Sequence, residues 1–166
     1  MSQPAPVHAR LGRLAELVGT WEGDGQGLWT AAEPFRYHEL ATISSDGRPF
    51  LAYRQRSTAL ADGAPRHGEA GWFRPGAEDG GAELVLAQPT GIVEVHRGRW
   101  EGDTLVLRAT LVGRTETALS VTGVERRLHV EGDRLSYLLR IAMNDEELAD
   151  HLAAELHRVT EASDIA

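Results

Sequence analysis

Cysteine is absent from this chain, and so is lysine. Without cysteine there is no disulfide, no thiolate nucleophile, no iron–sulfur cluster and no cysteine-bound zinc. Without lysine there is no Schiff-base chemistry and no P-loop lysine. All 17 basic residues are arginine, against 25 carboxylates, for a net charge of −8. An acidic chain is a poor candidate for general nucleic-acid or anionic-membrane binding. No apolar run approaches the ~18 residues of a spanning helix. Residues 1–13 lack a basic end followed by an apolar run, so no signal peptide is expected and the cytoplasm is the default location. What is present is ordinary for a globular protein: 166 residues, 42% hydrophobic and 25% charged. That is ample for one core and too little for two comfortable domains, so a single domain over 1–166 is expected.

Residues 7–18 place Val7, Leu11, Leu14 and Val18 at i, i+4, i+7 and i+11, the stripe of a short amphipathic helix stopping at Gly19. From there to about Met143 the pattern is different. Short segments are separated by Asp46-Gly47, Asp62-Gly63, Asp79-Gly80, Glu101-Gly102-Asp103 and Glu131-Gly132-Asp133. Glycine there supplies the positive φ of tight hairpins. Punctuation every ~8–12 residues marks an antiparallel sandwich or barrel. Alternation agrees: Leu105, Leu107, Ala109 and Leu111 share one face, as do Leu135, Tyr137 and Leu139. Residues 145–159 fit two patterns. Leu148, Leu152, Leu156 and Val159 form a helical stripe with Asn144 as N-cap, and local propensity favours that helix. A strand would instead put His151, Ala153, Glu155 and His157 on one face.

Gly19-Thr-Trp-Glu-Gly-Asp-Gly25 is the strongest local motif. Closely spaced glycines in a strand permit a bend or a close backbone approach, and Trp21 between them can plug a barrel end. No strand–turn–helix unit surrounds it, so it is not a dinucleotide fingerprint. His8, His38, His96 and His129 fall in polar contexts without His-x-x-x-His or Glu-x-x-His spacing, which argues against zinc. No Gly-x-Ser-x-Gly nucleophile turn is present.

With Gly19, Trp21, Gly23 and Gly25 as its start, the chain resembles the nitrobindin family. The resemblance continues through Pro34-Phe35-Arg-Tyr37-His-Glu39, Pro49-Phe50-Leu-Ala-Tyr53-Arg-Gln55-Arg56 and His67-Gly-Glu69-Ala-Gly71-Trp-Phe-Arg74. It then runs through Pro89-Thr90-Gly91-Ile-Val-Glu94-Val95, Arg114-Thr115, Gly132-Asp133-Arg-Leu135-Ser-Tyr137 and His151-Leu152. It implies an all-β fold: about ten antiparallel strands in an up-and-down barrel of lipocalin or fatty-acid-binding-protein type, the 7–18 helix covering one end. It implies haem b in the barrel mouth with His151 as the axial iron ligand. The ferric iron would isomerise peroxynitrite to nitrate and bind nitric oxide. It turns 145–159 into a closing strand and sets His67 on a haem-facing loop. It implies small-molecule partners, no nucleic acid and no membrane, with oligomeric state open and a homodimer among the options.

The chain departs from the family pattern at several places. Ala31 stands where a threonine is usual and Leu119 where a lysine is usual, both near the haem. Loss of a hydroxyl and a cation there would weaken the hold on a haem propionate. Arg66, beside His67, is the candidate replacement cation. Gln88 replaces a histidine, and Asn144-Asp-Glu-Glu147 is more acidic than usual. Two readings follow. One is a haem enzyme. The other is a haem-free or weakly haem-binding carrier of a small hydrophobic ligand, with Arg54, Arg56 or Arg66 pairing a carboxylate.

Overall fold

The structure, a computed structural model, describes residues 6–28 and 33–160. A 3-10 segment, Ala9–Leu17, leads into ten strands. They are β1 (Gly19–Gly27), β2 (Arg36–Ser45), β3 (Leu51–Ala59), β4 (Pro65–Pro75) and β5 (Gly81–Ala87), then β6 (Ile92–Glu101), β7 (Thr104–Arg114), β8 (Val121–Glu131), β9 (Arg134–Met143) and β10 (Ala149–Arg158). Each pairs antiparallel with the next in the chain, and β1 pairs β10 to close the barrel. Closure removes the exposed edges that an open sheet would carry. Gly47, Gly63, Gly80, Gly102 and Gly132 all have positive φ, as the hairpin reading requires. Among the described residues no helix is long and apolar enough to cross a membrane.

Three expectations need correction. The N-terminal segment is not a regular amphipathic helix but a 3-10 run broken at Gly12, where φ is 51°. Its buried residues are Leu11, Leu14 and Leu17, spaced by three as a 3-10 helix demands, while Val7 is exposed. Next, the helix that local propensity favours over 145–159 is absent, and the closing strand implied by the resemblance is present as β10. Asn144 and Asp145 both have positive φ, and Glu146 N donates to Met143 O at 2.9 Å, making a tight turn of the hairpin type. The strand that follows gains ladders on both sides, to β9 and β1, which a helix could not make. Finally, Leu111 does not share a face with Leu105 and Leu107. The β6–β7 register shifts between Val95 and His96, so Leu111 pairs with Val95 and faces outward.

Leu11, Leu14, Leu17, Trp21, Phe73 and Leu105 fill the closed end. Trp21 is fully buried, and its indole N–H donates to Leu17 O at 2.8 Å. The Arg158 guanidinium lies 4.1 Å from its ring. The Trp21 plug expected from the sequence is therefore present. The glycines beside it act by close approach. A side chain on Gly25 would collide with the Tyr37 ring and hydroxyl, and one on Gly27 with the Phe35 ring. Gly25, at the end of the motif, and Gly27 beyond it form a slot that lets two aromatic side chains lie on the β1 backbone.

Candidate functional site

The open end is not filled. A chamber of about 520 Å³ lies there, within the usual range for small-molecule and cofactor sites. Ile92, Val121, Val124, Leu139, Ile141 and Leu152 contribute apolar wall. The β7–β8 ladder stops at Arg108↔Glu125, and Val121 and Val124 of β8 beyond that point line the chamber. Below it is a smaller cavity of about 60 Å³, and Gln55, His67, Leu139 and Leu152 border both.

His151 lines the outer chamber through a local irregularity. On β10 the inward positions are Leu152, Ala154 and Leu156, so strict alternation would turn His151 outward with Ala153, Glu155 and His157. The β9–β10 register instead shifts between Asp150 and Leu152, leaving His151 out of the ladder. That bulge aims the imidazole inward beside Leu152 and corrects the single-face expectation. Its partner candidate His157 is exposed and lies against Glu155. Burial, with help from the charge of His67, lowers the His151 pKa, so the ring is neutral at neutral pH. A neutral imidazole is the form that binds a metal.

The other expected positions divide. His67 lies within β4 rather than on a loop, half-buried, with Nε2 3.5 Å from Glu69 Oε2, and it borders both cavities. Arg66 is exposed at the chamber rim, its guanidinium 5.6 Å from the Phe35 ring. Leu119 also lines the rim but is 61% exposed. Ala31 lies outside the described residues. Gly19, Trp21, Gly23 and Gly25 belong to the closed end and the β1 slot, not to the chamber wall. Arg54 and Arg56 are exposed and alternate with inward Gln55 and Ser57, so neither reaches a chamber ligand. Among the described residues no three-ligand His/Cys/Asp/Glu cluster fits a bare metal ion. One neutral imidazole, apolar walls and a rim arginine fit a flat apolar group with an iron centre and acidic arms.

Sequence reasoning missed the polar band under the chamber. Arg126 donates to both Glu69 oxygens, at 2.7 and 2.9 Å, and to Glu94 Oε2 at 3.0 Å. Tyr53 donates to Glu69 at 2.6 Å, and Gln88 to Glu94 at 2.7 Å. His96 is fully buried, with Nε2 2.7 Å from Glu94 Oε2. Burial would raise the pKa of Glu69 and of Glu94, but the Arg126 charge together with hydrogen bonds, from His67, Arg126 and Tyr53 to Glu69 and from His96 to Glu94, holds both below the usual carboxylate range. For His96 burial wins over Glu94 and lowers the pKa. A signal for this band existed: Glu39, Gln55, Glu69 and Glu94 all sit at inward parity in alternating strands.

Residues 10–158 match the family described as "THAP4-like, heme-binding beta-barrel domain". The chain is 43% identical over 159 residues to peroxynitrite isomerase 2 of Mycobacterium avium (strain 104), covering 93% of this chain and 98% of that protein. It is 41% identical over 165 residues to the peroxynitrite isomerase of Nocardia farcinica (strain IFM 10152), covering 95% and 98%. Among solved structures, Rv2717c from M. tuberculosis superposes with a TM-score of 0.84 at 38% identity, covering 93% of this chain and all of that one. The S-type phycobiliprotein lyase CPES from Guillardia theta, at 11% identity and a TM-score of 0.63, shares the fold alone. The chain belongs to the THAP4-like haem-binding β-barrel family, the nitrobindins, and haem is the cofactor of that domain.

Proposed function

We propose that this chain is a haem b peroxynitrite isomerase. The observation that carries the reading is His151: a bulge turns a neutral imidazole into an apolar chamber, in a chain of a haem-binding family. His151 would hold the iron. Arg66 would pair with a propionate at the rim, and Ile92, Val124, Leu139 and Ile141 would cover the ring and exclude water. When bound, ferric haem supplies a Lewis acid that assists O–O cleavage in peroxynitrite and its rearrangement to nitrate. Nitric oxide is a second small ligand for the same chamber. His67 faces that chamber and is placed to hydrogen-bond a ligand there. Relatives at 43% and 41% identity that carry the isomerase name support the reading.

Hemin titration followed by peroxynitrite decay tests it. The parent should show a Soret band and speed decay to nitrate. His151→Ala should lose both, and His157→Ala neither. A parent that forms no Soret band, or His151→Ala with the parent's spectrum, overturns the assignment.

A further inference from the structure

A line of three hydrogen-bonding groups joins the inner cavity to the haem chamber, and axial ligation makes no use of it. Glu39 is 2% exposed and borders the inner cavity. Its Oε2 lies 2.5 Å from the Tyr137 hydroxyl. That hydroxyl is 2.7 Å from the Tyr37 hydroxyl, and Tyr37 lines the haem chamber. The Tyr37 hydroxyl is also 3.5 Å from Ala153 O.

The line closes in either direction. With Glu39 ionised, Tyr37 donates to Tyr137 and Tyr137 to Glu39. With Glu39 protonated, its O–H donates to Tyr137, Tyr137 to Tyr37, and Tyr37 to Ala153 O. Neither state strands a buried hydroxyl, and neither needs a tyrosinate. Burial raises the pKa of Tyr37 and of Tyr137, so both stay neutral and pass protons without storing them.

We propose that Glu39 is the proton-exchange group of the haem chamber, and that Tyr137 and Tyr37 carry protons between it and chamber ligands. The inference rests on the haem reading for what the chamber holds. The ligands served are weak acids that enter the apolar mouth neutral and that an iron held there would take as anions. Such an acid delivers its proton to the Tyr37 oxygen. The proton of Tyr37 moves to Tyr137, and that of Tyr137 moves to Glu39. The acid is left as its conjugate base, Glu39 as a neutral carboxyl, and no bond between heavy atoms changes.

The surroundings suit the role. Burial and the charge of Glu69 push the Glu39 carboxyl up, against hydrogen bonds from Tyr137 and Gln55 and the charge of His67, to about 7. Tyr53 on β3 and Arg126 on β8 complete the titratable groups around the inner cavity. The inward neighbours on β1 and β10, Trp21, Gly23, Ala154 and Leu156, carry no charge. Gly25 also gains a purpose, since a side chain there would displace the Tyr37 hydroxyl from the line.

Two measurements test the proposal. Infrared titration of the haem-free protein should show a protonated-carboxyl band with a midpoint near 7, absent in Glu39→Gln. Tyr137→Phe removes a donor to the carboxylate and should raise that midpoint. Cyanide binding to the hemin-loaded protein then reads the exchange, because hydrogen cyanide must lose its proton to bind. Its association rate should fall about a hundredfold in Glu39→Gln and in Tyr37→Phe, at the low end for a positioned proton acceptor, with the Soret band unchanged. Parent-like cyanide rates in Glu39→Gln, or a carboxyl band that persists in it, overturn the proposal. A parent without a Soret band overturns the haem reading instead and leaves the infrared result to stand.

Discussion

The closed half of this barrel is filled by Trp21, Leu14, Leu17, Phe73 and Leu105, all nearly or fully inaccessible, while the open half holds a chamber of about 520 Å³ whose wall mixes apolar residues with Gln55, Ser57, Gln88 and Glu94. Strand alternation runs unbroken through the closed half, and register shifts on β3–β4, β6–β7, β8–β9 and β9–β10 interrupt it toward the open half. The halves also differ in what enters the barrel: the 3-10 segment inserts its leucines below, and above the β7–β8 ladder ends early. A charged band, Glu69–Arg126–Glu94, separates the two halves. Stability and ligand capacity are thereby assigned to different residues, and substitutions can separate them.

The largest effect should come from the dividing band. Arg126→Ala leaves Glu69 and Glu94 buried without their cation. Breaking a buried pair in this way costs about 3–5 kcal/mol. Urea unfolding at neutral pH should show that loss. Trp21→Ala should cost a similar ~3–5 kcal/mol through the cavity it opens at the closed end.

Substitution in the open half should do the reverse. His151→Ala removes a half-buried side chain that lies outside the β-ladder, so urea stability should change by less than about 1 kcal/mol. Hemin affinity should fall by more than about a hundredfold, beyond what loss of a group supporting a metal ligand costs. A large stability loss in His151→Ala would erase the contrast between the halves.

The band and the relay should also differ in pH dependence. Glu69 and Glu94 have folded pKa values below the unfolded value of 4.5, so their stabilisation is full above that pH and is lost as pH falls below it. Glu39 has the opposite sign. Its folded value of about 7 exceeds the unfolded 4.5, so its contribution is present at low pH and is lost as pH rises through about 7. That loss amounts to about 3 kcal/mol. Urea midpoints should fall in the parent between about pH 4.5 and 7 and level off above that, and the fall should flatten in Glu39→Gln.

The smallest effects belong to the rim. Leu119→Lys places a cation where the family pattern has one and should tighten haem binding only slightly. Leu119 is largely exposed, and a solvent-screened pair contributes about 0–1 kcal/mol, or less than about sixfold. Arg66→Ala should weaken hemin binding by a similar factor, and only at low salt. A hundredfold change at either position would show that the rim closes over the ligand.

Much of this was legible in the residues themselves. Asp-Gly and Glu-Gly-Asp punctuation located the hairpins, because few residues besides glycine accept positive φ cheaply. Alternation located the strands, and Gly19 to Gly25 with the ordered tracts located the family. His151 was legible only through the resemblance, since its own parity pointed it outward. Glu39, Glu69 and Glu94 were readable as inward polar positions, but their partner Arg126 comes from a strand remote in sequence.

The sequence by itself determined the strand periods, the turns, the all-β class and the lack of thiol and lysine chemistry, because each depends on local backbone preference or simple composition. Local pattern left 145–159 open between helix and strand; the resemblance implied a strand, and the tertiary structure makes Ala149–Arg158 one because two neighbouring ladders outweigh local helix propensity. The tertiary structure also decided that Leu111 faces out and His151 faces in. A register shift in a ladder reverses which side a residue takes, and a register exists only between two strands.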